Sequence, residues 1–99
     1  MKRKYNTGGV RRYYLRNWRR AGKYTLREFA GVLGVGINRY GDIERGSRDP
    51  DEALLEQIGA ALGKSRQEIA ESERGFRSRR LAARREAKRK EREEAVETK

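Results

Sequence analysis

The sequence predicts an all-α fold of five helices, and three kinds of observation carry that expectation. Ser/Thr/Asp-x-x-Glu patterns stand at Thr25/Glu28, Asp49/Glu52 and Ser65/Glu68, each able to satisfy orphan amides at a helix start. Glycines follow apolar-periodic runs at Gly22, Gly34 and Gly63, where helices commonly stop. Between these marks the large apolar residues recur at three- and four-residue intervals, the period of a helix with one buried face.

The first helix is expected over Val10 to Ala21. Tyr14 and Trp18 are four apart with Leu15 beside them, which makes all three core candidates and leaves Tyr13 outside. Thr25 opens the second helix, whose apolar face is Phe29, Ala30 and Leu33, with Gly34 just past its end. A third helix spans Ile37 to Glu44, turning Tyr40 and Ile43 inward. Asp49 is expected to cap the fourth, with Pro50 at its first position, where a missing N–H costs nothing. Its stripe is Leu54, Leu55, Ile58, Ala61 and Leu62. Ser65 starts a short fifth helix that includes Ile69.

From Arg74 the pattern changes. Gly75 interrupts, and residues 77–97 are mostly Arg, Lys, Glu and Ala, with Leu81 and Val96 the sizeable apolar residues. That is too little for a heptad seam. Such a segment favours helix by propensity, supported by Glu86 with Lys90 four residues on, but it lacks a core-facing stripe. It is expected to be a solvated helix or disordered. The chain therefore divides into a basic arm over 1–9, a domain over 10–73 and a charged extension over 74–99.

Charge narrows the function. The net charge is +11, but it is unevenly placed. Residues 1–24 hold nine basic residues and no acid, residues 25–73 hold six basic and ten acidic, and residues 74–99 hold eleven basic and five acidic. Basic ends on a mildly acidic middle attract polyanions, most simply nucleic acid. Cys and His are both absent, which excludes disulfides, the usual zinc-finger spacings and the commonest general base. No phosphate-cradling Gly-x-x-x-x-Gly-Lys occurs, and the acids show no convergent pair, so the chain is expected not to be an enzyme and to need no metal or cofactor. No apolar run suits a membrane span or a signal peptide, and a cytoplasmic, nucleoid-associated protein is the expectation.

The stretch Thr25-Leu26-Arg27-Glu28-Phe29-Ala30-x-x-Leu33-Gly34-Val35, followed by Ile43-Glu44-Arg45-Gly46-x-Arg48-x-Pro50, resembles the lambda-repressor/Cro-type (XRE) helix-turn-helix family. The likeness extends to Leu15-Arg16-x-Trp18-Arg19 before it and Leu54-Leu55-x-x-Ile58-x-x-Ala61-Leu62-Gly63 after it. It implies a five-helix lambda-repressor-like bundle whose third helix enters the DNA major groove. It also implies an ion pair between Arg19 and Glu44, tying the first helix to the end of the third, with about 3–5 kcal/mol lost on truncating one partner if the pair is buried.

What the resemblance implies for contacts can be laid on this sequence residue by residue. The reading edge is Gly36, Ile37, Asn38 and Arg39, then Gly41 and Asp42 a turn later. Asn38 can pair with adenine and Arg39 can reach guanine or a phosphate. Asp42 can accept from cytosine, and Ile37 can touch a thymine methyl. Phosphates are expected at the amides of Leu26 and Arg27 and along Arg45, Ser47 and Arg48. Leu26 stands where the family usually has glutamine, Asp42 where a polar or basic residue is usual, and Gly36 where a serine or threonine caps. Gly41 inside the helix costs about 1 kcal/mol against alanine. These departures shift expected affinity toward the ends.

The flanks keep more than one meaning. Lys2, Arg3 and Lys4 suit a minor groove or simply solvent. Arg11, Arg12, Arg16 and Arg20 are placed on the outer side of the first helix, for phosphates or solubility. The extension is a solvated helix, a further DNA contact, or a segment that folds on a protein partner. The leading function is a sequence-specific transcriptional regulator binding double-stranded DNA as a homodimer. Neutralising about eight phosphates would give a log-log salt slope of about −7. The alternative is an interaction module, an antitoxin or a coactivator-like bridge. RNA association has less support, since the pattern is not a typical RNA module.

Overall fold

The structure is a computed structural model that describes residues 10–97, with side-chain surroundings to 93. Five helices follow in order: α1 Tyr13–Ala21, α2 Leu26–Leu33, α3 Ile37–Arg45, α4 Glu52–Leu62 and α5 Arg66–Glu97. No strand occurs among the described residues. The arm with Lys2, Arg3 and Lys4 lies outside them.

Two expected caps form as drawn. Thr25 Oγ1 accepts from the Glu28 amide at 3.1 Å while Glu28 Oε1 accepts from the Thr25 amide at 2.8 Å. Ser65 and Glu68 repeat this at the start of α5, at 3.1 and 3.4 Å. The third is displaced. Asp51, not Asp49, caps α4, accepting from the Leu54 amide at 2.8 Å, so Pro50 precedes the cap instead of opening the helix. Asp49 is drawn away by two arginines, as described below.

Apolar stripes from all five helices close the core. Leu15, Phe29, Ala30, Leu33, Tyr40, Ile43, Leu54 and Ile58 form one buried cluster, with Tyr14, Trp18, Leu26, Val35, Ile37, Ala61 and Leu62 partly buried against it. Tyr14 and Trp18 meet edge to face with centroids 5.1 Å apart, and Phe29 and Tyr40 do so at 5.3 Å. Such pairs add about 0.5–1.5 kcal/mol beyond the area they bury. Tyr13 is exposed, as its place opposite Leu15 requires.

Three expectations about the ends need correction. α1 starts at Tyr13, three residues later than its periodicity suggests, because Arg12 leaves helical geometry and its amide donates to the Glu44 carbonyl at 2.8 Å. Arg12 is fully buried, not on the outer face. α5 is one helix of 32 residues running through Gly75, since a single mid-helix glycine costs only about 1 kcal/mol and Phe76 directly after it is fully buried. Burying that ring gains about 1.5–3 kcal/mol, enough to outweigh the glycine. The core thus extends past residue 73. At about 1.5 Å per residue α5 is roughly 48 Å long, most of the molecule's 54 Å greatest extent. Along its projecting part Glu86 pairs with Arg89 at 2.8 Å, one residue earlier than the expected Lys90.

Gly46 is where backbone freedom decides the fold. It ends α3 with φ +83°, and a Cβ there would stand 2.5 Å from the Val10 carbonyl and 3.2 Å from the Phe76 ring. Only glycine admits both that left-handed conformation and that close approach. The N-terminal strap, the end of α3 and the middle of α5 all meet at this residue.

Candidate nucleic-acid interface

α3 is short, and its orientation depends on what grips its two ends. At the start, Gly34 turns the chain with φ +72°, the Val35 amide donates to the Ala30 carbonyl at 3.1 Å, and Gly36 enters extended. Gly36 offers no side-chain cap, so the first amides of α3 face outward without an internal acceptor. At the other end Arg19 Nε donates to Glu44 Oε2 at 2.6 Å and Nη2 to Oε1 at 3.2 Å, while Nη1 donates to the Tyr24 carbonyl at 2.8 Å. Both side chains are about nine-tenths buried. The hydrogen bonds that Arg19 donates to Glu44 raise the Arg19 pKa above its ordinary value, against the opposing effect of burial. The expected α1–α3 tie is therefore present, and it is two-pronged.

A second clamp lies behind it. Arg12 Nε and Nη2 donate to the two carboxylate oxygens of Glu73, each at 2.9 Å, and Nη2 also donates to Asp49 Oδ1 at 2.7 Å. Nη1 donates to the carbonyls of Ile43 at 2.8 Å and Arg48 at 2.9 Å. All five guanidinium N–H groups thus have acceptors. Tyr14 donates its hydroxyl to Glu73 at 2.6 Å, and the Phe76 ring lies 4.2 Å from the guanidinium. Burial raises the Tyr14 hydroxyl pKa, and its bond to Glu73 raises it further. Arg80 adds a bond to Asp49 at 2.9 Å. One buried arginine joins the strap before α1, the end of α3, the α3–α4 loop and α5. Nothing in the arginine-rich opening distinguishes Arg12 from its neighbours, so sequence reasoning missed it. Phe76 and Glu73 did leave a signal, since Ile69, Glu73 and Phe76 continue the i, i+4, i+7 stripe of the fifth helix.

On this platform the expected contact residues divide. Asn38 and Arg39, on the first turn of α3, are exposed and make no side-chain hydrogen bond among the described residues. Ile37 is half-buried beside them, packed on the core. A turn later Asp42 is engaged: Arg45 Nη2 donates to Asp42 Oδ1 at 2.5 Å. The Arg45 guanidinium lies over Gly41, with Nη1 3.1 Å from where a Cβ would be. Gly41 makes room for that arginine to fold back, a reason its composition alone does not suggest. Ser47 turns inward, directing its amide and hydroxyl to the Asp42 carbonyl at 3.0 and 3.3 Å. Arg48 is exposed, with its carbonyl held by Arg12. At the start of α2, Arg27 is exposed and Leu26 half-buried. Thr25 takes the Glu28 amide, which leaves the amides of Leu26 and Arg27 without intrahelical acceptors.

A short helix presented outward after a tight turn from its predecessor, with cations at both flanks, defines the helix-turn-helix class. Comparison with known proteins agrees. Residues 15–79 match the family model described as Helix-turn-helix. Over 60 residues the chain is 35% identical to YazB of Bacillus subtilis, an uncharacterized HTH-type transcriptional regulator, covering 61% of this chain and 87% of that one. Two crystal structures of the clp gene regulator ClgR from Corynebacterium glutamicum are similar, both at 27% identity. One has a TM-score of 0.61, covering 86% of this chain and 88% of ClgR; the other has 0.58, covering 71% and 91%. The chain belongs to the XRE-type helix-turn-helix family, a family of DNA-binding transcriptional regulators.

Proposed function

We propose that this chain is a sequence-specific regulator that sets the first turn of α3 in the major groove of a short operator. The observation that carries the reading is the pair Asn38 and Arg39: exposed, free of internal hydrogen bonds among the described residues, and mounted on a helix whose far end is locked by Arg19 and Glu44. Asn38 has the donor and acceptor to meet adenine bidentately, and Arg39 has the fork for guanine. Ile37 offers an apolar edge for a thymine methyl. The amides at Leu26 and Arg27 and the side chain of Arg48 serve phosphates, which fix position without reading sequence. Asp42 and Arg45 act as a neutralised pair rather than as separate cytosine and phosphate contacts, and Ser47 shapes the loop from within. The arm with Lys2, Arg3 and Lys4 adds affinity through the minor groove.

The protein acts as a homodimer in the cytoplasm, at the nucleoid, by binding and not by catalysis. Selection from a random duplex library at moderate salt tests this. An enriched palindrome is expected, and Asn38→Ala should lose about 1–3 kcal/mol on that site while binding unrelated duplexes unchanged. Tight binding with no enrichment would overturn sequence-specific reading.

A second reading, that of an interaction module such as an antitoxin or coactivator-like bridge, is favoured by the Asp42–Arg45 pair, which takes a cation off the groove-facing edge. It requires a protein partner that protects α5 from proteolysis. Retention of duplex preference with no such partner disfavours it.

A further inference from the structure

The projecting part of α5 has one face that the bundle does not use. At about 100° per residue, Arg74, Arg77, Arg84, Arg85, Lys88 and Arg92 fall within about 100° of the helix circumference, grouped around Leu81. All six are exposed. Glu86 and Glu93 lie on the far side, and Glu91 borders the arc. Among the described residues Arg74, Arg84, Arg85 and Lys88 have no acidic partner, whereas Arg77 sits 3.7 Å from Glu73. Four of its six cations thus lack an internal counter-charge, and holding them in one row costs repulsion unless an anion covers them.

Its root is fixed beside the loop that follows α3. Arg80 donates to Asp49 at 2.9 Å and packs over Phe76 at 4.9 Å, while Arg12 grips the Arg48 carbonyl. The stripe therefore sets out beside the loop that bears Arg48 and Asp49. From Arg74 to Arg92 it runs about 27 Å at ~1.5 Å per residue, equal to the rise of roughly eight base pairs along the duplex axis at ~3.4 Å each.

We infer that the exposed basic face of α5, residues 74–92, is a second phosphate-binding rail that lies along the DNA backbone beyond the base pairs read by α3. The charge pattern decides the occupant. A protein interface wants an apolar centre with charges at its rim, but this face has one sizeable apolar side chain, Leu81, amid six cations. A regularly spaced polyanion matches it. The inference rests on duplex DNA being the ligand, and not on which bases α3 contacts.

The test measures binding of the full-length protein to its enriched duplex and to a scrambled duplex of equal length, across a salt series. The fourfold variant R74Q/R84Q/R85Q/K88Q keeps good helix formers in α5, and circular dichroism confirms that helicity is retained. At ~0.9 per phosphate, its log-log salt slope should be shallower by about 3–4. Affinity should drop more than tenfold on both duplexes, with the ratio between them unchanged. The lysine variant R74K/R84K/R85K should keep the wild-type slope. The α3 variant N38A/R39A should do the opposite of the glutamine variant, erasing the ratio while keeping most of the slope. Failure of base reading thus shows as an absent ratio, with the rail's slope change intact. An unchanged slope in the glutamine variant, or a lost ratio without a slope change, overturns the rail.

Discussion

Arg12 and Glu73 stand 61 residues apart in sequence, yet the guanidinium of one meets both carboxylate oxygens of the other at 2.9 Å in the interior of the protein. With the Ile43 and Arg48 carbonyls on the same guanidinium, this contact ties the end of α3 to α5. Stability and the pose of the interface therefore share one residue.

Arg12→Met should cost about 3–5 kcal/mol, because it strands the buried Glu73 carboxylate and two backbone carbonyls without a donor. Urea unfolding of the full chain measures it. A cost below ~1 kcal/mol would mean that water replaces the clamp freely. Arg19→Met should fall at the lower end of that range, since its pair keeps about a tenth of each side chain exposed, from which Glu44 recovers some hydration.

Acid should weaken the fold through the same cluster. Burial pushes the Glu73 carboxyl up, but hydrogen bonds from Arg12 and Tyr14 outweigh it and leave the pKa below the ordinary value; Asp49 behaves alike under Arg12 and Arg80. A carboxylate depressed in the folded state contributes fully above its unfolded value and loses that contribution as pH falls through the folded one. Tm should therefore stay level down to about 4.5, the ordinary glutamate value, and fall below it. Glu73→Gln should lower Tm at neutral pH and make the acid decline shallower. An equally steep decline in that variant would place the acid sensitivity elsewhere.

Gly46→Ala should destabilise by about 1–3 kcal/mol from the left-handed backbone alone. The clash with the Val10 carbonyl adds to that. Because the strap before α1 must move, amide exchange should quicken around residues 10–12 before it does in α2. Uniform acceleration across the bundle would contradict the local role given to this glycine.

Asp42→Asn should release Arg45 toward the groove. Removing one negative charge from the groove-facing edge and freeing one cation predicts tighter binding to all duplexes and a salt slope steeper by about 1. If Asp42 instead reads a base, the same variant loses affinity for the selected site alone. Parallel titrations on selected and scrambled duplexes separate the two.

The helices themselves were largely legible from the sequence. Phe29, Leu33, Ile43, Leu54 and Ile58 announce their burial by spacing, Thr25 and Ser65 announce two helix starts, and the Arg19–Glu44 tie follows from the family likeness. The α4 cap was misplaced by two residues because Asp49 and Asp51 are both competent caps. The choice between them was made by Arg12 and Arg80, which claim Asp49 from distant parts of the chain. Gly75 looked like an end because the ring beside it, Phe76, has its binding place on other elements. Asn38 and Arg39 were rightly placed on an open face, whereas Asp42, Arg45 and Ser47 turned out to engage one another.

Local order along the chain, namely which residues are helical, which stripe faces inward and where net charge collects, was determined by the sequence alone, since propensity, capping and periodicity act between near neighbours. Which of many arginines goes inside, which aspartate caps and how far the last helix belongs to the body were decided only on folding. Those outcomes depend on desolvation and hydrogen bonding among groups dozens of residues apart, and a one-dimensional pattern carries no record of such encounters.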